Sequence, residues 1–242
     1  MKILVIVTLL SFLSLAANAA PYFLVTEPYP PYEYIENGKP VGMDVELLEL
    51  AAKKVGITFR VEFIPWARCI EMMKKGTADG IFSLLHNKER EVFINYPSTP
   101  LHIARSVLFA HKDYPYKIEK IEDLKDKQVG VVYGNSYGEA FDRADYIKKE
   151  SVSDHETLMK KLIGRREELI MTTEEVGYYL SKKFGGKNIV ALPFTVSKDL
   201  FYVGVSKRSP RGKVFYKKIS EGLLLIEKSG EARSIRKKYL GN

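Results

Sequence analysis

The sequence predicts an α/β protein built as two lobes, each a mainly parallel sheet with flanking helices. Two observations carry this. From Tyr22 to Leu84 the order reads strand, helix, strand, helix, strand, the signature of a parallel sheet covered by helices. From Ser106 onward the same logic runs a second time. The 242 residues, less a leader, suffice for one large or two small domains.

In the first half, Tyr22–Thr26 (YFLVT) reads as a buried strand. Glu27–Tyr32 (EPYPPY) must leave it as an extended loop, because its prolines fix their own φ and restrict each preceding residue. Asn37-Gly38 predicts a turn. Asp44 is placed to cap a helix carrying Leu47, Leu48, Ala51, Ala52 and Val55 on one face, with Gly56 as its stop. Ile57–Ile64 alternates as a strand does. Pro65 opens a helix with Ile70 and Met73 inward and Gly76 at its end. Ile81–Leu84 is the third strand.

In the second half, Ser106–Ala110 and Val129–Val132 are strands. Tyr133–Gly138 follows as a loop, with a helix from about Glu139. A short strand fits within Ile147–Val152, and Asp154 can cap a helix over Glu156–Ile163. Leu169–Thr172 is a strand, Glu174–Lys183 a helix, and Ile189–Leu192 and Leu200–Val205 are two further strands. Helices over about Arg211–Lys228 and on to Tyr239 close the chain.

Residues 1–19 carry a positive start, an apolar run from Ile3 to Ala17 and an A-x-A site, which describe a secretory signal peptide cut after Ala19. The run is short for a membrane span, which takes roughly 20 residues. A periplasmic location follows as an expectation. The net charge is +8, but the lysines are scattered over helix faces and alternate with acids, so a solubilised surface is the better reading than a nucleic-acid site. Cys69 is the only cysteine, which excludes an intramolecular disulfide, and its place on an amphipathic helix suits a buried small hydrophobe. His86, His102, His111 and His155 show no ligand spacing, so neither a metal site nor a cofactor is expected.

Three motifs bear on function. Gly134-Asn135-Ser136-Tyr137-Gly138 is a literal G-x-S-x-G between strand and helix. As a nucleophile elbow it needs a later acid and histidine, and only His155 follows. An anion site at a strand–loop–helix junction is the better reading, with a plain turn and cap as its structural rival. Arg90 follows the third strand, where ligands bind at the carboxyl ends of parallel strands, and its planar fork matches a carboxylate. Read without that position it is a surface arginine paired with Glu89 or Glu91. Trp66 and Arg68 stand in the first turn of the second helix, as core and surface or as wall of a cleft. Tyr29 and Tyr32 are the aromatic candidates in the proline-rich loop.

The marks Pro30-Pro31-Tyr32, Gly42-Met43-Asp44-Val45-Glu46-Leu47, the P-W-x-R start at Trp66, Gly76-Thr77-Ala78-Asp79-Gly80-Ile81, Glu89-Arg90, Tyr96-Pro97, Val129-Gly130-Val131 and Lys238-Tyr239-Leu240 come in a telling order. With them the chain resembles the family 3 extracellular solute-binding proteins, the type II periplasmic amino-acid-binding class. The resemblance covers nearly all of the chain after the leader. It implies a two-lobed periplasmic-binding-protein-like type II fold joined by two crossover strands. Lobe 1 would be residues 20–103 plus 196–242, and lobe 2 residues 104–195. By position, Tyr29 matches the aromatic that stacks on the ligand, Ser83 a polar strand-end contact, and Arg90 the arginine that holds an α-carboxylate. Ser136, with Asn135, matches the lobe 2 group on the same carboxylate. One position departs: where the family often has an aspartate for the ligand's ammonium, this chain has Thr173, with Glu174 beside it. Either Glu174 substitutes, or the ligand is not a standard α-amino acid.

The expected function is therefore capture of an amino acid or related carboxylate and its delivery to the permease of an ABC transporter, by a monomer without enzymatic activity. The alternatives are an enzyme on the same scaffold, either an esterase through Ser136 or a dehydratase or lyase using Glu174, and an exported ligand sensor.

Overall fold

In the computed structural model of the chain, residues 20–241 are described. The signal peptide and the cleavage point after Ala19 expected for residues 1–19 involve a segment outside the described residues. Nine strands form one sheet in the order β4-β1-β5-β11-β7-β10-β8-β9, with the short β6 (Ile94–Asn95) also paired to β11. At one end, β1 (Tyr22–Thr26) lies parallel to β4 (Phe59–Phe63) and β5 (Gly80–Leu85). At the other end, β8 (Gln128–Val132) lies parallel to β9 (Lys148–Val152) and β10 (Leu169–Thr173). Two long strands join these ends, β7 (His102–His111) and β11 (Ile189–Ser206), antiparallel to each other and to their outer neighbours. A separate hairpin of β2 (Tyr34–Glu36) and β3 (Lys39–Val41) turns at Asn37-Gly38, both at positive φ as a two-residue hairpin turn requires.

Burial follows the sequence pattern. β5 and β10 are buried at every residue, as strands covered on both faces must be, whereas the edge strand β4 alternates. α1 (Met43–Lys54) buries Leu47, Leu48, Ala51 and Ala52 against α6 (Gly212–Lys228) and α7 (Glu231–Leu240). Each fully buried leucine contributes about 1.5–3 kcal/mol of apolar burial. The approach is so close that a Cβ on Gly222 would lie 2.3 Å from the Ala51 carbonyl oxygen. α2 (Trp66–Lys75) starts after Pro65 and ends at Gly76 in the left-handed region, as expected. The C-terminal helices return to the first end of the sheet. Asp79 holds them there, accepting from the Phe23 amide at 2.8 Å and from the Ser209 hydroxyl, and pairing with Arg211.

Three expectations are corrected. Asp44 does not cap α1: Gly42 occupies that position, and the Asp44 carboxylate turns inward to Ser83 and His102. The segments Ile189–Leu192 and Leu200–Val205 are parts of one strand, β11, in which register shifts around Thr195 absorb Pro193 without ending the pairing. The helix beginning at Glu139 is only the four-residue α3 (Glu139–Asp142). By contrast α4 (His155–Ile163) has its Asp154 cap, accepting from the Thr157 amide at 2.7 Å, and α5 (Glu174–Lys183) has the expected bounds.

Candidate functional site

A cleft lies where the carboxyl ends of β1 and β5 face those of β8 and β10. The proline-rich loop after β1 is folded on itself by bonds between Tyr29 and Glu33, from the Tyr29 amide to the Glu33 carbonyl at 2.7 Å and back at 3.3 Å. It presents Glu27, Tyr29 and Glu33. α2 brings Trp66, the end of β5 brings Ser83 and Leu85, and the 3-10 turn Arg90–Val92 brings Arg90. The loop after β8 supplies Asn135, Ser136 and Tyr137 from the opposite side. The space between holds about 410 Å³, part of it open solvent, and it continues into a wider open groove lined by His86, Gly134, Gly138 and Asp142.

The walls are drawn together at the Gly134 carbonyl. Arg90 Nη2 donates to it at 2.9 Å and Trp66 Nε1 at 3.1 Å. The Arg90 guanidinium also lies 5.6 Å from the Trp66 ring. Arg90 is 8% exposed, and among the described residues it has no carboxylate in ion-pair contact. Burial lowers it from the ordinary arginine value. A buried guanidinium bonded to one neutral carbonyl is under-compensated, and an anion would satisfy its remaining donors.

Asn135 sits beside it. Its Nδ2 lies 3.2 Å from Glu27 Oε1 and 3.1 Å from His155 Nε2, while His155 Nδ1 lies 3.3 Å from the Thr172 hydroxyl. The Tyr29 ring packs on His155 at 4.6 Å. Burial raises the Tyr29 phenol far above the ordinary range. Tyr32 closes the far side by donating to Glu175 Oε2 at 2.9 Å.

Beneath the cleft is a second polar cluster. The Ser83 hydroxyl, at a positive φ of 55°, contacts both Glu33 and Asp44. Asp44 also meets His102 Nδ1 at 3.0 Å, and His102 is stacked between Tyr32 at 4.0 Å and Phe201 at 4.9 Å. One hydroxyl has one proton, so the two carboxyls facing it cannot both be plain acceptors. Burial, and then the neighbouring Asp44, push Glu33 well above the usual carboxylate range. Glu33 therefore carries the extra proton.

Of the residues singled out from sequence, Tyr29, Trp66, Ser83, Arg90, Asn135 and Ser136 converge on the cleft. Thr173 is buried and does not line the cleft. Arg68 is exposed on the outer side of α2, and Glu174 is tied to Arg105; neither lines the cleft. Ser136 gives its hydroxyl to Asp142, which also accepts from the Tyr137 amide at 2.9 Å. Among the described residues no histidine hydrogen-bonds to Ser136, so the arrangement a serine nucleophile needs is not formed there. Nor does any cluster of metal-ligating side chains occur among them. Glu27, Glu33 and His155 were not singled out. Glu27 directly follows β1, so the strand-end rule that selects Arg90 selects it too. His155 is the first residue of α4, behind the Asp154 cap.

The sequence model of the bacterial extracellular solute-binding proteins, family 3, matches residues 23–242. A probable amino-acid-binding protein, YxeM of Bacillus subtilis, is 26% identical over 218 residues, 86% of this chain and 79% of its own. A histidine kinase sensor domain with similarity to periplasmic binding proteins superposes with a TM-score of 0.84 at 22% identity, covering 93% of this chain and 97% of that one. The arginine-, lysine-, histidine-binding protein ArtJ of Geobacillus stearothermophilus gives 0.78 at 22%, covering 92% and 96%. The two structural likenesses are likenesses of fold.

Proposed function

The chain belongs to the bacterial extracellular solute-binding proteins, family 3, and we propose that it captures an amino acid or related carboxylate in the periplasm and delivers it to the permease of an ABC transporter. The observation that carries this reading is Arg90, buried, without a counter-ion among the described residues, and aimed at the Gly134–Ser136 loop across the cleft. A ligand carboxylate would take the Arg90 donors that now meet a carbonyl oxygen, and Ser136 and Asn135 would approach it from the other side.

Residues 20–103 with 196–242 form one lobe in this reading, and 104–195 the other. β7 and β11 are the crossings. The register shifts of β11 between Ala191 and Ser197 fall beside the lobe 2 boundary and support a hinge there. Binding selects the closed form, which the permease recognises.

Thermal melts of the purified chain against amino acids and small carboxylates test the reading. A ligand at ~100 times its dissociation constant adds roughly 2.7 kcal/mol of stability. If none of them raises the melting point, the reading fails. The likeness to a histidine kinase sensor domain supports a second reading, that of a sensory input domain. Reconstituted uptake that requires this chain would decide for transport.

A further inference from the structure

The positive charge of the chain is gathered in one stretch. Residues 207–242 hold eleven lysines and arginines against three acids, whereas residues 104–195 are nearly balanced, with sixteen against fifteen. In the fold the basic stretch is the turn after β11 and the helices α6 and α7. Three of its charges are held in the protein's own ion pairs: Arg211 with Asp79, Arg236 with Glu227 and Lys238 with Glu46. The lysines of α6 are not. Among the described residues Lys213, Lys217, Lys218 and Lys228 form no ion pair.

The outer face of α6 also carries apolar side chains that its packing does not use. Phe215, Ile219 and Leu223 are buried on the inner face. Val214, Leu224 and Leu225 point the other way and are 59%, 45% and 42% exposed. Helical spacing puts these three on one stripe with Lys217, Lys218 and Lys228, and the one acid on it is Glu221. The helix has 17 residues, so the stripe runs for about 25 Å. None of its residues lines the cleft.

Leucines set among unpaired lysines suit one kind of partner best. Lysine stems lie along apolar surface while their ammonium groups stay in a polar layer, the arrangement of a helix resting in a lipid headgroup region. The core of a protein–protein interface is depleted of lysine. A single-stranded nucleic acid needs aromatic platforms, and this stripe has none. We infer that the outer face of α6 docks on an anionic lipid surface, with Leu224 and Leu225 entering the headgroup layer and the lysines meeting lipid phosphates. Docking there leaves the cleft free, and it is independent of what the cleft binds.

The test is co-sedimentation of the full secreted chain with vesicles. One set is phosphatidylcholine alone and the other contains about one third phosphatidylglycerol, each at about 0.1 M and about 1 M salt. Binding to the phosphatidylglycerol vesicles at the lower salt is expected, with loss at the higher salt and none to phosphatidylcholine alone. Lys217→Gln with Lys228→Gln is expected to weaken it about 30-fold, and Leu224→Ser with Leu225→Ser about 10-fold. Lys217→Arg with Lys228→Arg keeps the charge and is expected to bind as the wild type does. Lys148→Gln with Lys187→Gln removes the same charge from exposed positions elsewhere and is expected to change binding less than about 3-fold. Melting curves of each variant check folding. Failure to bind phosphatidylglycerol vesicles at the lower salt, or equal losses in the two lysine-to-glutamine pairs, would overturn the assignment. So would retention on single-stranded DNA that the vesicles do not compete. The solute-binding reading stands in each of these cases, because its melts with amino acids do not involve this face.

Discussion

Two glutamates of one loop, Glu33 and Glu27, are both buried and both touch the cleft, yet they are finished differently. Glu33 is closed from its own side. Thr26 lies 3.4 Å from one of its oxygens, Ser83 bonds the other, and Asp44 and His102 complete the cluster. Among the described residues Glu27 draws its only hydrogen bond from Asn135, across the cleft, and leaves an oxygen unpartnered. Satisfied buried polar groups fix a structure, and unsatisfied ones leave bonding capacity open. The difference separates scaffold from site within one short loop.

The comparison breaks most visibly on stability. Asp44→Ala strips Ser83 and His102 of their shared partner inside the scaffold cluster, with an expected loss of about 3–5 kcal/mol in urea unfolding. Ligand-free Glu27→Gln is expected within about 1 kcal/mol of the wild type, because it removes a carboxylate that has one neutral donor. Equal losses in the two variants would erase the distinction.

Next comes binding. Arg90→Ala is expected to weaken a carboxylate ligand about 100-fold by calorimetry, in line with the loss of one partner of a buried, hydrogen-bonded charge pair. A ligand held as tightly without Arg90 would move the anion site elsewhere.

Acid dependence sharpens the scaffold half. The folded value of Glu33 is raised, so its protonated form is the one folding favours. That contribution is fully present below the ordinary carboxylate value and is lost as pH rises through the folded value. Glu33→Gln, which cannot ionise, is therefore expected to gain stability relative to the wild type as pH increases. Parallel unfolding curves across the pH range would contradict it.

The smallest effect is expected at Glu174. Its pair with Arg105 is partly solvated, with side-chain exposures of 25% and 47%, and such pairs are worth about 1 kcal/mol or less. Glu174→Gln should leave ligand affinity unchanged. A large loss would return Glu174 to the site.

Local pattern carried much of the fold. α5 begins and ends where its apolar spacing places it, the position after the third strand led to Arg90, the G-x-S-x-G motif to Ser136, and the family resemblance to Ser83 and Asn135. What sequence reading lost depends on partners distant in the chain. Asp44 looks like a cap until Ser83 and His102 are beside it. Pro193 looks like a break until β7 carries the register past it. Arg68 and Glu174 are plausible ligands until the face of α2 and the reach of Arg105 are known. Residue type and spacing give no notice of such pairings, because the competing bonds exist only after the sheet has formed.

Trp66 is the only tryptophan in the chain, and its indole N–H crosses the cleft to the Gly134 carbonyl at 3.1 Å. It is 4% exposed in this conformation. Parting the walls would break that bond and wet the ring, shifting its emission to longer wavelength. The protein thus carries a built-in optical reporter of its own opening, free of background from any second indole, and stopped-flow fluorescence could follow closure in real time without a label.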